Sequence, residues 1–278
     1  ELKGRGVYPD LEAPTYSQHG GSLVAGAGPT LSVPDHVTKV YYCHGPRDVD
    51  LTDYGHSLDP RLVGGGINPD ATLIDFGAPG DGAGTHTSAP LALTQPGFLL
   101  SRSYDSTTGE WSALNSALFT INTVPATSAN LVISEIHYHP AAPSAEEIAA
   151  GFADQNLFEF LEVQNIGESN VDLTGVEFVS GVAFTFPHGF TLAPGARAVA
   201  VKDPGAFSFR YPDVPATQIA GDFLHGSGLR NSGERLTLQS ANGTIVANFV
   251  YGDSEPWPPA ADGAGPSLVL MRPATNPD

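Results

Sequence analysis

Hydrophobic and polar positions alternate in short runs along this chain, and the 3.6-residue spacing of a helix is nearly absent. The segments "HVTKVYYC" (36–43), "FLLSRSYD" (98–105) and "SALFTIN" (116–122) carry β-branched, aromatic or aliphatic residues between Gly, Pro, Asn and Asp clusters, which predicts strands. The same reading holds for "LVISEIHYH", "FEFLEVQN", "GVEFVS", "AFTFP" and "ARAVAVKD" further on. "RLTLQSANGTIVANFVYG" predicts a hairpin, with Asn242-Gly243 as a type I′ turn. Helical signals are brief. "SAEEIAAGF" (144–152) has Ser144 with Glu147 three residues on, a capping box that predicts one or two turns inserted between strands. Residues 1–6 suit the end of a helix from a preceding domain.

Many short strands without long helices predict β-sandwiches. A length of 278 residues exceeds what one ordinary core needs, so two domains are expected. The polar stretch "TVPATSAN" (123–130) reads as the linker between them. The expected organisation is a lead-in segment at 1–30, a small sandwich at 31–124 and a second sandwich at 125–278. Glycine and proline together form about a fifth of the chain, which suits turn-rich β structure.

Charge narrows the function classes. Twelve basic residues against thirty acidic ones give a net charge of −18, a surface that repels nucleic acid and anionic membranes. No apolar run reaches the roughly 20 residues of a membrane span. The single cysteine, Cys43, allows no internal disulfide. The absence of an initiating methionine and the "RPATNPD" ending are expected of a piece of a longer protein.

Five stretches, "LVISEIHYHP", "FEFLEVQNIGESNVDLTGVEF", "FTFPHGFTLAPGARAVAVKD", "GLRNSGERLTLQSANGTIV" and "YGDSEPWPPAADGAGPSLVLMRP", keep an order and spacing that resembles the bacterial type of lamin tail domain, over about 131–273. That resemblance implies an immunoglobulin-like sandwich that is non-catalytic and appended to large secreted or surface proteins. Within it, Asn165 can bond the following turn, and Asp172 and Thr174 can satisfy turn amides. "VYYC…SLDPRLVGGGINPDA" followed by "SRSYDSTTGEWSALNSALFTI" is similar to the small C-terminal domain of chitobiase-type hexosaminidases. Here "GPRDVDLTDYGH" is inserted before Ser57-Leu58-Asp59-Pro60-Arg61. The opening "ELKGRGVYPDLEAPTYSQHGG" resembles the junction after a spore-coat-protein-H-type kinase-like domain, which would lie upstream. Together these resemblances imply an all-β fold of two tandem immunoglobulin-like antiparallel β-sandwiches.

Candidate chemistry sits in two places. On an extended strand, Glu135, His137 and His139 share a face, and two histidines at i and i+2 beside a carboxylate can hold zinc or copper. A polar strand end gives the same pattern. Asp48, Asp50, Asp53 and Asp59 form a carboxylate-dense loop that can hold calcium, without the spacing of an EF-hand. Other motifs carry less. Ser227 in "HGSGL" lacks the strand–turn–helix setting of a hydrolase elbow. Cys43 and His44 point to opposite faces of a strand. "VGGGINPD" is not a phosphate loop. Trp111, Trp257, Tyr104 and Tyr251 are candidates for sugar stacking, or for packing at a sheet edge.

The expectation is therefore a non-catalytic structural or adhesion pair from a secreted or cell-surface bacterial protein, with no cofactor other than a candidate calcium ion. Its expected partners are other protein chains or domains of its own larger precursor, with no nucleic acid and no membrane span. The alternatives are a carbohydrate-binding accessory module that takes polysaccharide, and a metal-dependent site at His137/His139.

Overall fold

The computed structural model of the chain describes residues 9–45, 58–80 and 83–271. The backbone divides into two compact units, Glu1–Asn122 and Thr123–Asp278, and strands dominate both. The fold is all-β, as the alternating pattern predicts.

The first unit contains β1 (Thr15–Tyr16), β2 (Gly21–Leu23), β3 (Leu31–Pro34), β4 (Lys39–Gly45), β5 (Thr72–Asp75), β6 (Thr85–Thr87), β7 (Gly97–Ser103) and β8 (Asn115–Ile121). They form a sheet ordered β1-β3-β6 and another ordered β2-β8-β7-β4-β5. Leu31 and Val33 of the first sheet pack with Val40, Leu99 and Phe119 of the second in one core. Alternation puts Tyr41, Cys43, Leu100 and Arg102 on the opposite face of the larger sheet, where β4 and β7 pair Tyr41 with Arg102 and Cys43 with Leu100.

The second unit contains β9 (Thr123–Pro125), β10 (Leu131–His137), β11 (Phe160–Asn165), β12 (Asn170–Asp172), β13 (Glu177–Ser180), β14 (Phe184–Thr185), β15 (Thr191–Leu192), β16 (Arg197–Val201), β17 (Ile219–Asp222), β18 (Glu234–Gln239), β19 (Ile245–Tyr251) and β20 (Leu268–Val269), with helices α1 (Ala145–Ala149) and α2 (Pro204–Arg210). A sheet ordered β17-β16-β11-β10-β20 faces one ordered β14-β13-β18-β19, and β15-β12-β9 forms a smaller third sheet. Ile133, Leu161, Val163, Ala198 and Ala200 meet Phe178, Leu236, Leu238, Val246 and Ala247 in the shared core.

The outer face of the five-stranded sheet is covered as well. Phe160, Val199 and Val201 on that face bury Phe207 of α2, with Tyr211 and Val214 packed alongside. A sheet buried on both faces reads as a near-continuous apolar run, which is the pattern of "ARAVAV" in β16.

Three details differ from the sequence-based expectation. The segment expected as a linker contains strand β9, which pairs in parallel with β12 and is followed by the core residue Ala126. Its small, polar composition suits a short edge strand as well as a loop. The sandwiches are mixed rather than purely antiparallel, because β2/β8, β9/β12 and β16/β17 are parallel pairs. Parallel neighbours need a crossover, and α2 supplies one between β16 and β17. The Asn242-Gly243 turn is not type I′: Gly243 has φ +83° and accepts the left-handed position alone. The Asn242 Oδ1 accepts from the Thr244 N–H at 3.0 Å and from the Ser240 hydroxyl at 2.7 Å. With Gly243 N–H donating to Ser240 O at 2.8 Å, the loop is a turn closed by a glycine bulge.

Candidate functional site

Strand β10 carries the sequence-predicted histidines. Leu131 and Ile133 face the core, then a bulge between Ile133 and Glu135 shifts the register, so that Ile136 and Tyr138 become the core residues. Glu135 and His137 therefore share the outer face with Glu162 and Phe160, their partners across β11. The bulged Ser134 donates its hydroxyl to Glu162 Oε1 at 2.7 Å.

The three candidate ligands nevertheless have separate surroundings. Glu135 accepts a short hydrogen bond from the Ser267 hydroxyl. His137 is buried against the Phe160 ring, 5.2 Å between centroids. Burial, and the nearby Arg210 charge, push its imidazole down to about 4. His139 lies past the end of the strand, where its Nδ1 meets Asp262 Oδ1 at 2.5 Å. Among the described residues, no three His, Cys, Asp or Glu side chains converge as a metal centre would need.

The acidic loop is only partly described. Asp48, Asp50 and Asp53 lie outside the described residues. Asp59 is engaged: Arg102 donates to it through Nε and Nη2, each at 2.8 Å, and the Arg61 N–H donates at 2.9 Å. Arg102 Nη1 also donates to Ser112 O at 2.7 Å. A carboxylate clamped in this way serves as a brace between the 59–61 turn and β7.

The aromatic candidates divide. Trp111 and Tyr251 are buried, Trp111 donating to Gly65 O at 2.8 Å and Tyr251 to Arg230 O at 2.9 Å. Tyr104 packs against Trp111 with the rings tilted, 4.6 Å between centroids. Trp257 is half-buried against the core of the second unit. Cys43 is buried, which raises its thiol to about 11 and leaves little thiolate at neutral pH. Ser227 donates to Leu224 O and accepts from the Ala183 N–H, both roles in loop closure.

One buried constellation has no short-range signal in the sequence. Glu159, 2% exposed, accepts the Leu229 N–H at 2.8 Å. Lys202 donates to Gly226 O at 2.7 Å and to Ser227 O. Together they hold the 224–229 loop from below. Gly228 allows the approach, since a Cβ there would sit 2.9 Å from Glu159 Oε2. Desolvation raises the Glu159 carboxyl to about 7.

Residues 124–253 match the lamin tail domain family. The matched stretch runs from β9 to just past β19, and includes the Asn165, Asp172 and Thr174 turns. The lamin tail domain is an immunoglobulin-like, non-enzymatic module. No curated protein matches the chain. No helix among the described residues is long and apolar enough to cross a membrane.

Proposed function

We propose that this chain is a pair of non-catalytic β-sandwich modules from a larger secreted or cell-surface bacterial protein, and that it works by spacing and by protein–protein contact. The observation that supports this best is how the second unit uses its carboxyl groups. Glu147 binds Arg210, Glu159 binds the Leu229 amide, and Glu162 binds both Ser134 and Arg197. Each of these carboxylates ties two segments together. The resemblance of the first unit to a hexosaminidase C-terminal module supports an accessory role as well.

The test is cross-linking mass spectrometry on the native protein in its source cells, combined with surface biotinylation of intact cells. Labelling from outside and cross-links to neighbouring chains or precursor domains are expected. A chain protected from external label and free of cross-links at native concentration would overturn the proposal. Retention on a polysaccharide column in place of cross-links would favour a carbohydrate-binding role.

A further inference from the structure

The lamin tail unit has a cleft of about 340 Å³ on the side where β19 and β20 are the edge strands of their sheets. Ile133, Ile136, Phe249, Trp257, Leu268 and Met271 form a mostly apolar wall. The wall draws on β10 and β19 within residues 124–253 and on Trp257 and β20 after them. Met271 is 89% exposed and Val269 55% exposed, an arrangement that water disfavours and a bound partner would relieve.

The charged group in the wall bears on the partner. Glu135 lines the cleft half-buried, and its carboxyl is held above the usual range by desolvation. Among the described residues it forms no ion pair, and Arg197, the nearby cation, donates to Glu162 at 3.0 Å instead. The Ser267 hydroxyl is its hydrogen-bond partner, and a complementary cation would offset more of the cost of burying its charge. A second copy of this chain is a poor occupant, because each copy carries −18.

We propose that this cleft binds an extended, basic segment of another protein, with a bulky apolar side chain beside Trp257 and a lysine or arginine against Glu135. The free edge of β20 offers backbone groups to such a segment, as exposed sheet edges do in strand addition. This inference rests on the protein-contact reading and assigns its chemistry.

The experiment titrates the full chain with an acetylated, amidated Lys-Leu-Lys-Leu-Lys peptide, following the Trp257 indole N–H by NMR. The Trp111 indole, in the other unit, is the internal control. The Trp257 signal is expected to shift and saturate with a Kd of roughly 0.1–1 mM. Glu135→Gln should weaken binding about tenfold, because a buried charge pair is lost. A Glu-Leu-Glu-Leu-Glu peptide should leave the signal in place. The proposal is overturned if both indoles shift alike, if Glu135→Gln binds as well as the parent chain, or if no shift occurs at millimolar peptide. A Trp257 shift on concentrating the chain alone would assign the cleft to a second copy and overturn it too. So would a Trp257 shift on ending the chain at Met271, which would assign the cleft to the chain's own terminus. Cross-links elsewhere on the protein, with the cleft indifferent to the peptide, would overturn this inference and leave the broader reading standing.

Discussion

Arg210 grips Glu147 with two parallel hydrogen bonds, Nε to Oε1 at 2.7 Å and Nη2 to Oε2 at 2.8 Å. The guanidinium lies 3.3 Å over the Phe158 ring, and Glu147 also accepts the Ser144 N–H at 2.7 Å to complete the capping box. One ion pair thus joins the cap of α1 to the last turn of α2, above the outer face of the five-stranded sheet.

Removing the cation leaves a buried carboxylate behind. Arg210→Ala is expected to lower the stability of the second unit by on the order of 3 kcal/mol, measured by urea unfolding of the full chain. Arg210→Lys should recover only part of this, because lysine cannot form the two-pronged contact. The pair holds the Glu147 carboxyl at about 2, against an ordinary 4.5. Its stabilisation is therefore complete above pH 4.5 and disappears as pH falls towards 2. The gap between the parent chain and Arg210→Ala should close over that window. A gap that stays constant would refute the ion-pair account.

Glu159 behaves in the opposite sense. Its folded-state value of about 7 lies above the ordinary 4.5, so between those pH values the folded chain holds a proton that the unfolded chain has released. Stability must then fall as pH rises from 4.5 to 7. Glu159→Gln keeps an acceptor for the Leu229 amide and removes the titration. The variant should gain about 2–3 kcal/mol on the parent chain between pH 5 and pH 8. Thermal melts at the two pH values measure this directly, and an unchanged difference would mean that the buried carboxyl is already charged at pH 5.

What could be read in advance was set by sequence separation. Ser144 with Glu147, and Asn165 with the following turn, involve neighbours a few residues apart, and the structure forms both. Glu147 with Arg210 and Asp59 with Arg102 lie 63 and 43 residues apart, and nothing in the spacing of charges announces such pairs. The β10 histidines show the same limit. Alternation correctly put Glu135 and His137 on one face, but their surroundings come from distant segments. Ser267 is 132 residues from Glu135, and Asp262 is 123 residues from His139. The bulge at Ser134 was also hidden, because Ser134 sits in an apolar run where either register buries something.

His137 offers a direct check on the packing of that face. An imidazole lowered to about 4 by burial should keep its C2-proton shift constant from pH 8 to pH 5 in an NMR titration of the histidines. The unfolded chain protonates near 6.5, so stability falls as pH drops from there towards 4. His137→Phe retains a ring against Phe160 and cannot protonate. It should match the parent chain at pH 7 and exceed it by about 1–2 kcal/mol at pH 5. A His137 signal that titrates near 6.5 would show that the ring reaches solvent.

Asn165 tests whether a family motif is structural. Its side chain is fully buried and donates from Nδ2 to Ser169 O at 2.8 Å and to Leu192 O at 2.7 Å, while Oδ1 accepts the Gly167 N–H at 2.8 Å. Three backbone segments meet on one amide, and both of its donors face carbonyls. Asn165→Asp replaces the donors with a second acceptor, so two buried carbonyls lose their partners and meet negative charge. The expected cost at pH 7 is about 3–4 kcal/mol, larger than that of Asn165→Ala. Protonation of the introduced carboxyl restores one donor, so the aspartate variant should regain stability relative to the alanine variant as pH is lowered towards 4. Urea unfolding of both variants at pH 7 and pH 4 provides the comparison. A motif residue kept for ligand contact would show the reverse order, with Asn165→Asp tolerated in folding and little dependence on pH.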